Sequence, residues 1–586
     1  MSDQKTEVSL SPMAAAVVAV HVAVNEKVTA GQPLVTLEAM KMQSTVKAEC
    51  SGKVLDILVA EGQTIQSGVS LLLIQKSSQD GVSPLDNIQT DSAVSPALEE
   101  FHIRQAKTLD AGRARAVTAR HAKGFRTARE NLADLIDGNS FNEYGQFAVA
   151  AMRGKRNYQE LQTETAADGI ITGTASINGG KAAVVVNDYS VLAGTQGYFH
   201  HKKVDRILEV ARKNKLPVVM YTEGGGGRPN DTDVTTMIAG LNVTSFSEWA
   251  SLSGVVPRIA VNNGRCFAGN AALFGCADIR IATESSNIGM AGPAMIEGGG
   301  LGRFKPEQIG PMDVQTRNGV VDILARDEAH ATQLAKQALS YFQAPLQEWQ
   351  VADQQPLNQA LPADRRFVYD VRKIINTLFD CDSFLELKPW YGSALITGFA
   401  RLAGKPVAIL CNDCKYLGGA IDGEAAEKAA RFLELCNSFK IPLVALGDTP
   451  GFMVGPDSEA QGAVRQVSEL FIAGSKFSAP LVSVFLRKGY GLGAMAMAGG
   501  GFLRPTCTAA WPTGEFGAMG LEGAVKLGFA KELAAIEDVA EREARFNELV
   551  SVSYEMGKAT EAAAFLELDA VIEPSQTRDY LIRALG

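Results

Sequence analysis

The chain repeats itself at an interval of 225 residues, and no other feature limits its possible folds so strongly. "ITGTASINGGKAAVVVND" begins at Ile171 and "ITGFARLAGKPVAILCND" at Ile396; "KLPVVMYTEGGGG" begins at Lys215 and "KIPLVALGDTPGF" at Lys440. The interval sets Glu223 opposite Asp448 and Gly226 opposite Gly451. Both copies open on Asp-x-x-Ser-Phe-x-Glu, at residues 137–143 and 380–386. In each copy an amphipathic helix leads through Leu-Pro or Ile-Pro into an apolar β run that ends at a Gly-rich loop. The first such helix, "KKVDRILEVARKNK", carries Val204, Ile207, Leu208 and Ala211 at helical spacing. Repeated β-turn-α units of this kind predict a duplicated α/β spiral. Glu223 and Asp448 could act as bases, but their matched places at strand ends favour a structural role.

A shorter repeat precedes these copies. Val20, Val22, Val28, Gly31 and Leu34 match Ile57, Val59, Ile65, Gly68 and Leu71 at an interval of 37. Residues 11–76 read as short strands with Gly-containing turns, so the two halves predict a pseudo-symmetric β-sandwich. "EAMKM" lies at the join, which predicts a hairpin with Lys41 at its tip. Residues 77–100, rich in Ser, Asp, Pro and Gln, read as a flexible linker. Fully extended, it spans at most about 80 Å at ~3.3 Å per residue.

With 586 residues the chain exceeds one core, and its net charge of −9 with no long Lys/Arg run disfavours nucleic-acid binding. No apolar run reaches the ~18 residues of a membrane span. "MSDQKTEVSLSPM" lacks the apolar region of a signal peptide, so a cytoplasmic location is expected. The one CxxC, Cys411 and Cys414, falls in a β-like run and reads as two packed thiols; the six histidines are dispersed, and no metal site is expected.

Residues 260–293, "AVNNGRCFAGNAALFGCADIRIATESSNIGMAGP", carry the densest chemistry. A strand ends, small residues turn the chain, and an apolar helix follows. Helix N-termini aim free N–H groups outward, and a pair of them can hold an oxyanion. "GYGLGAMAM" in the second copy offers the same design. The loop 224–228, "GGGGR", is not a phosphate-binding P-loop, because no Gly-Lys-Ser/Thr follows.

Three stretches resemble known families. The segment around Ala39-Met40-Lys41-Met42 resembles the biotin carrier domains of biotin-dependent carboxylases, which implies biotin on Lys41, attached by a biotin protein ligase. Ala14-Ala15-Ala16 and Asn25-Glu26 depart from the usual turns of that family. Asn263-Gly264, Cys266, Ala268-Gly269 and Cys276-Ala277-Asp278 resemble the crotonase superfamily, with Ala268 and Asn270 where glycines are usual. "DTPGFMVGPDSE", "RKGYG" and "AWPTGEFGAMG" resemble the carboxyltransferase β-subunit family of propionyl-CoA and methylcrotonyl-CoA carboxylases.

By that resemblance the fold is α/β, two tandem crotonase-like ββα-spiral domains preceded by a small all-β biotinyl domain. The expected boundaries are 1–76, 77–100, 101–350 and 351–586. The first copy would bind an acyl-CoA, with Ala268 and Gly269 as oxyanion donors and Gly225, Gly226 and Arg228 beside it. Arg228 would anchor either a phosphate or the loop. The second copy would bind biotin, with Leu492 and Gly493 as donors, flanked by Gly491 and Ala494. Met495 falls near the floor of the acyl pocket. The resemblance further implies a separate biotin carboxylase subunit and a homotrimer or hexamer. A transcarboxylase or decarboxylase component is the alternative.

Overall fold

The computed structural model describes residues 6–77, 95–229, 231, 233 and 241–586. They form two compact units, Met1–Glu99 and Glu100–Gly586. Most of the linker expected over 77–100 lies outside the described residues, and a helix, Pro96–Ala106, begins within its last part.

In the first unit eight short strands make two four-stranded antiparallel sheets. Ala15–Val20, Lys27–Val28 and Pro33–Ala39 are answered, 37 residues on, by Gly52–Ile57, Thr64–Ile65 and Ser70–Lys76. One sheet runs Thr6–Leu10, Ser70–Lys76, Gly52–Ile57, Lys27–Val28; the other runs Met42–Lys47, Pro33–Ala39, Ala15–Val20, Thr64–Ile65. Each sheet thus draws strands from both halves, and the repeat exchanges one sheet for the other. Inward positions of the alternating strands, Leu34, Leu37, Val54 and Leu72 among them, fill the core between the sheets. Thr6–Leu10 adds a strand ahead of the predicted span of strands, 11–76.

In the second unit the 225-residue interval holds to the residue over the central elements. Ile170–Ile177, Gly180–Asn187 and Val218–Tyr221 recur as Leu395–Leu402, Lys405–Asn412 and Leu443–Thr449. The first copy builds a seven-stranded sheet and the second an eight-stranded one, each an antiparallel hairpin followed by parallel strands. The opening motif locks that hairpin. Asp137 and Asp380 accept the N–H of Gly179 and Gly404 at its turn, at 2.8 and 2.7 Å. Ser140 and Ser383 each accept a strand N–H at 3.0 Å, from Ser176 and Arg401. Glu143 and Glu386 pair with Arg129 and Arg372.

The two sheets share one apolar core. Val184, Ile259 and Ile281 of the first belong with Phe399, Ala408 and Leu410 of the second, and the helix Gly423–Ser438 inserts Ala426, Phe432 and Leu433 among them. The boundary expected at 350 therefore separates two sheets within one hydrophobic interior. No helix among the described residues is long and apolar enough to cross a membrane.

A buried lysine is duplicated along with the fold. Lys203 Nζ donates to the carbonyls of Ala167, at 2.9 Å, and Ile170. At the matched positions Lys428 Nζ donates to Leu395 at 2.7 Å and reaches Gly392 at 3.5 Å, with a further bond to Lys388 at 2.8 Å. Burial lowers the two ammonium groups to about 8 and about 7, against an ordinary 10.5. The unfolded chain keeps these protons to higher pH, so it binds more protons than the folded chain between those values. Stability therefore rises with pH across about 7 to 10.5. Lys428→Met is expected to flatten that rise in a pH series of thermal unfolding. It also strands buried carbonyls, at roughly 1–3 kcal/mol each.

Candidate active site

Ala39 pairs with Met42 across a two-residue turn, and both turn residues are left-handed, Met40 at φ 51° and Lys41 at φ 66°. That is the geometry of a type I′ hairpin, which ordinarily selects Asn-Gly. A Met-Lys pair held there stores strain, and such strain clusters at functional positions. Met40 is 97% exposed and Met42 77%, so two apolar side chains flank an exposed lysine. A solvent-facing tip read by another protein and modified on its lysine fits this arrangement. Asn25, replacing the usual turn glycine, takes φ 73°, a conformation asparagine tolerates.

The strand-to-helix steps of the two copies correspond closely. In the first, Arg265–Phe267 pairs in parallel with Asn287–Gly289 and leads to the helix Gly269–Gly275. In the second, residues 488–490 pair in parallel with Glu515–Gly517 and lead to Gly491–Met497. Between strand and helix each chain takes one left-handed residue, Ala268 at φ 52° and Gly491 at φ 56°. Ala268 therefore matches Gly491, Gly269 matches Leu492, and Asn270 matches Gly493. Order along the repeat sets Gly491 opposite Cys266, so the structure moves the expected pairing by two residues. The Ala268 N–H, expected to face a thioester, instead donates to Gly289 O at 3.0 Å. The first amides of each helix, Gly269 and Asn270 or Leu492 and Gly493, have no intrahelical partner.

Around Gly269 the Gly-rich loop is stitched by side chains. Gly225 N–H donates to Ala193 O at 3.0 Å, and Gly226 N–H donates to Asn270 Oδ1 at 3.0 Å. Gly226 sits at φ 89°, and a Cβ there would lie 2.8 Å from that of Ala268. Arg228 is buried: it donates to Asp168 at 2.6 Å, Asp231 at 3.3 Å and Thr195 O at 3.0 Å. These bonds tie the loop down, the second of its two expected roles, and leave only 3% of the side chain exposed. His200 lies one turn into the next helix, and burial holds its imidazole well below the ordinary value. Sequence reading passed over Gln196, whose N–H donates to Gly226 O at 2.7 Å and whose own carbonyl accepts Arg228 N–H at 2.8 Å. No sequence motif marks it.

The matched acids are both occupied. Arg120 grips both oxygens of Glu223, one at 2.9 Å. Arg487 donates to Asp448 at 2.9 Å, joined by Tyr369 Oη at 2.9 Å and Lys488 N–H at 3.1 Å. Cys411 and Cys414 are buried thiols, pushed up by desolvation. Beside the second helix opens a cavity of about 580 Å³. Gly491 and Ala494 border it, and Met495, Phe502, Leu503, Phe516, Met556 and Phe565 make it largely apolar.

A carrier hairpin joined to paired strand-to-helix steps defines a class: a biotin-dependent enzyme of crotonase-like fold that handles acyl groups. The chain belongs to the carboxyl transferase domain family, which matches residues 119–586, while residues 7–74 match the biotin-requiring enzyme family. The propionyl-CoA carboxylase beta chain of Saccharopolyspora erythraea is 30% identical over 509 residues, 83% of this chain and 92% of that one. A structure described as a single-chain, multi-domain long-chain acyl-CoA carboxylase matches with a TM-score of 0.81 and 46% identity. The match covers 100% of this chain but 56% of that one, so this chain spans little more than half its length. The transcarboxylase 12S hexamer with methylmalonyl-CoA bound matches at TM-score 0.75 and 30% identity, over 85% of this chain and 96% of that one.

Arg228→Ala leaves Asp168 buried and uncompensated, a loss of about 3–5 kcal/mol. The expected outcome is a lower unfolding temperature with the affinity for free CoA little changed in the folded fraction. A selective loss of CoA affinity at unchanged stability would instead make Arg228 a phosphate ligand.

Proposed function

We propose that the chain is the carboxyltransferase and biotin carrier of an acyl-CoA carboxylase, moving a carboxyl group from biotin on Lys41 to the α-carbon of an acyl-CoA thioester. The duplicated strand-to-helix step carries this reading, because it offers one set of amides to each of two oxygen-centred charges. Biotin, once attached, supplies the carboxyl carrier through its ureido group. Leu492 and Gly493 receive the ureido oxygen. Gly269 and Asn270 receive the thioester oxygen and stabilise the enolate that forms as the α-proton leaves. A donor of this kind contributes roughly 2.7–4 kcal/mol to a transition state. Glu223 and Asp448 serve as structural anchors, each held by an arginine.

The cavity beside Gly491 is lined by the second copy alone, so an acyl-CoA loop from another chain would complete it. This supports a homo-oligomer, as does the likeness to the 12S hexamer. Loading of biotin falls to a separate biotin carboxylase, and its attachment to a biotin protein ligase. Eight free cysteines suit a reducing cytoplasm. The same amides serve the reverse transfer from a malonyl-type thioester. A transcarboxylase or decarboxylase component is therefore the second reading, favoured by the 12S likeness.

For the substrate we infer a long acyl chain. The apolar cavity has the size of a ligand pocket, and the 46% identical relative is a long-chain acyl-CoA carboxylase. Burying each further methylene is worth about 0.8 kcal/mol, roughly fourfold in kcat/KM. Two measurements test the proposal on biotinylated protein. Carboxyl label from a 2-carboxyacyl-CoA should appear on the protein and vanish in Lys41→Ala; no label with any thioester rejects the carboxyltransferase. Across 2-carboxyacyl-CoAs of increasing length kcat/KM should rise, and Met495→Trp should cut the long substrates at least tenfold while sparing malonyl-CoA. A flat length profile rejects the long chain and leaves the transferase standing.

A further inference from the structure

We infer that the side-chain amide of Gln196 is an additional hydrogen-bond donor to the acyl thioester oxygen, beside the Gly269 amide. The inference rests on the assignment of the first copy to the acyl-CoA. Gln196 is only 4% exposed, and Nε2 has no hydrogen-bond partner. A buried donor left unmade costs about 1–3 kcal/mol, so its retention calls for a compensating ligand. The amide lies flat against Gly269: a Cβ on that glycine would collide with Gln196 Oε1 and sit 3.0 Å from Phe246. The backbone of Gln196 is fixed by its two bonds to Gly226 and Arg228, so the side chain starts from a rigid base.

Two neighbours strengthen the assignment. The Ala268 N–H is spent on Gly289 O, so the acyl side lacks the donor that its sequence pattern promises. Asn270 uses Oδ1 to hold the Gly226 N–H, which commits that side chain to the loop. Asn270 Nδ2 is also without a partner but faces Gly224, so Gln196 is the neutral side-chain donor that lies against Gly269. A half-turn of the amide exchanges Oε1 and Nε2 at almost no steric cost, so the NH2 can face an incoming oxygen. No charge is involved, which suits a group that must bind a neutral carbonyl first and an enolate afterwards.

The test compares the full biotinylated chain with Gln196→Leu and Gln196→Glu. Three quantities are read: label transfer from 2-carboxyacyl-CoAs, binding of acyl-CoA, and binding of the S-alkyl-CoA thioether that lacks the carbonyl. Both variants should lower kcat by about 10²-fold, the usual loss of one oxyanion donor. They should weaken the acyl-CoA while leaving thioether affinity within error of the parent. A purely structural Gln196 would weaken thioether and thioester alike, or shift only the unfolding temperature, and either result overturns the inference. Parent-like transfer in Gln196→Leu also overturns it. A parent chain that binds neither ligand and transfers no label removes the acyl-CoA reading itself, and the inference with it.

Discussion

The buried ion pair between Asp168 and Arg228 is the constraint on which the first copy of the fold depends. Asp168 has no exposed side-chain surface, and it stands in a left-handed turn at φ 51°. Lys203 fixes that turn by donating to Ala167 and Ile170 on either side. Asp168 also accepts the His200 N–H at 2.9 Å, which ties in the start of the next helix. From Asp168 the link passes to Arg228, then through its backbone to Gln196 and Gly226. Asn270 closes the circuit at the helix that presents the amides. Neither charge could be lost singly without stranding the other in a dry interior. The Gly-rich loop is therefore rigid despite its composition.

The second copy reaches a comparable geometry by other means. Asp448 and Arg487 take the central place, and Lys488 N–H donates to the same carboxylate two residues before Tyr490. The strand that ends in the second strand-to-helix step is thus pinned by the acid matched to Glu223. Each copy thus buries an ion pair close to its strand-to-helix step. Preorganised donors act only if they need not move as charge develops, and these pairs supply the rigidity. The matched acids are held by arginines and the matched lysines by backbone carbonyls, so rigidity and placement are what this part of the fold supplies.

Much of this was legible in the sequence, for reasons that are physical. The interval of 225 survives because both copies need the same apolar strands and the same buried lysine. Lys41 stood out because its flanks, Met40 and Met42, have no business in solvent otherwise. What escaped depends on single residues of backbone register. Ala268 looks like a donor in the motif, yet one left-handed step turns its N–H back into the sheet. Arg228 could be read either as a phosphate ligand or as an anchor until its burial was known. Gln196 belongs to no motif, since its partners, Gly226, Arg228 and Gly269, come from distant stretches of chain.

Ala268 shows how closely such a site is balanced. Its dihedrals, φ 52° and ψ −120°, belong to a region that glycine occupies freely and alanine at a cost of roughly 1–3 kcal/mol. Three features make the strain bearable. The bond to Gly289 O holds the backbone, the adjacent parallel pair Phe267–Gly289 fixes the approach, and Gly226 leaves room for the methyl. The methyl and the glycine are thus one choice: any side chain at 226 would need Ala268 to become glycine. In exchange, the methyl packs against Gly226 at the junction of loop and helix. The strain therefore sits at the start of the helix that opens on Gly269, where the bonds to Gly289 and around Gly226 hold the backbone in place.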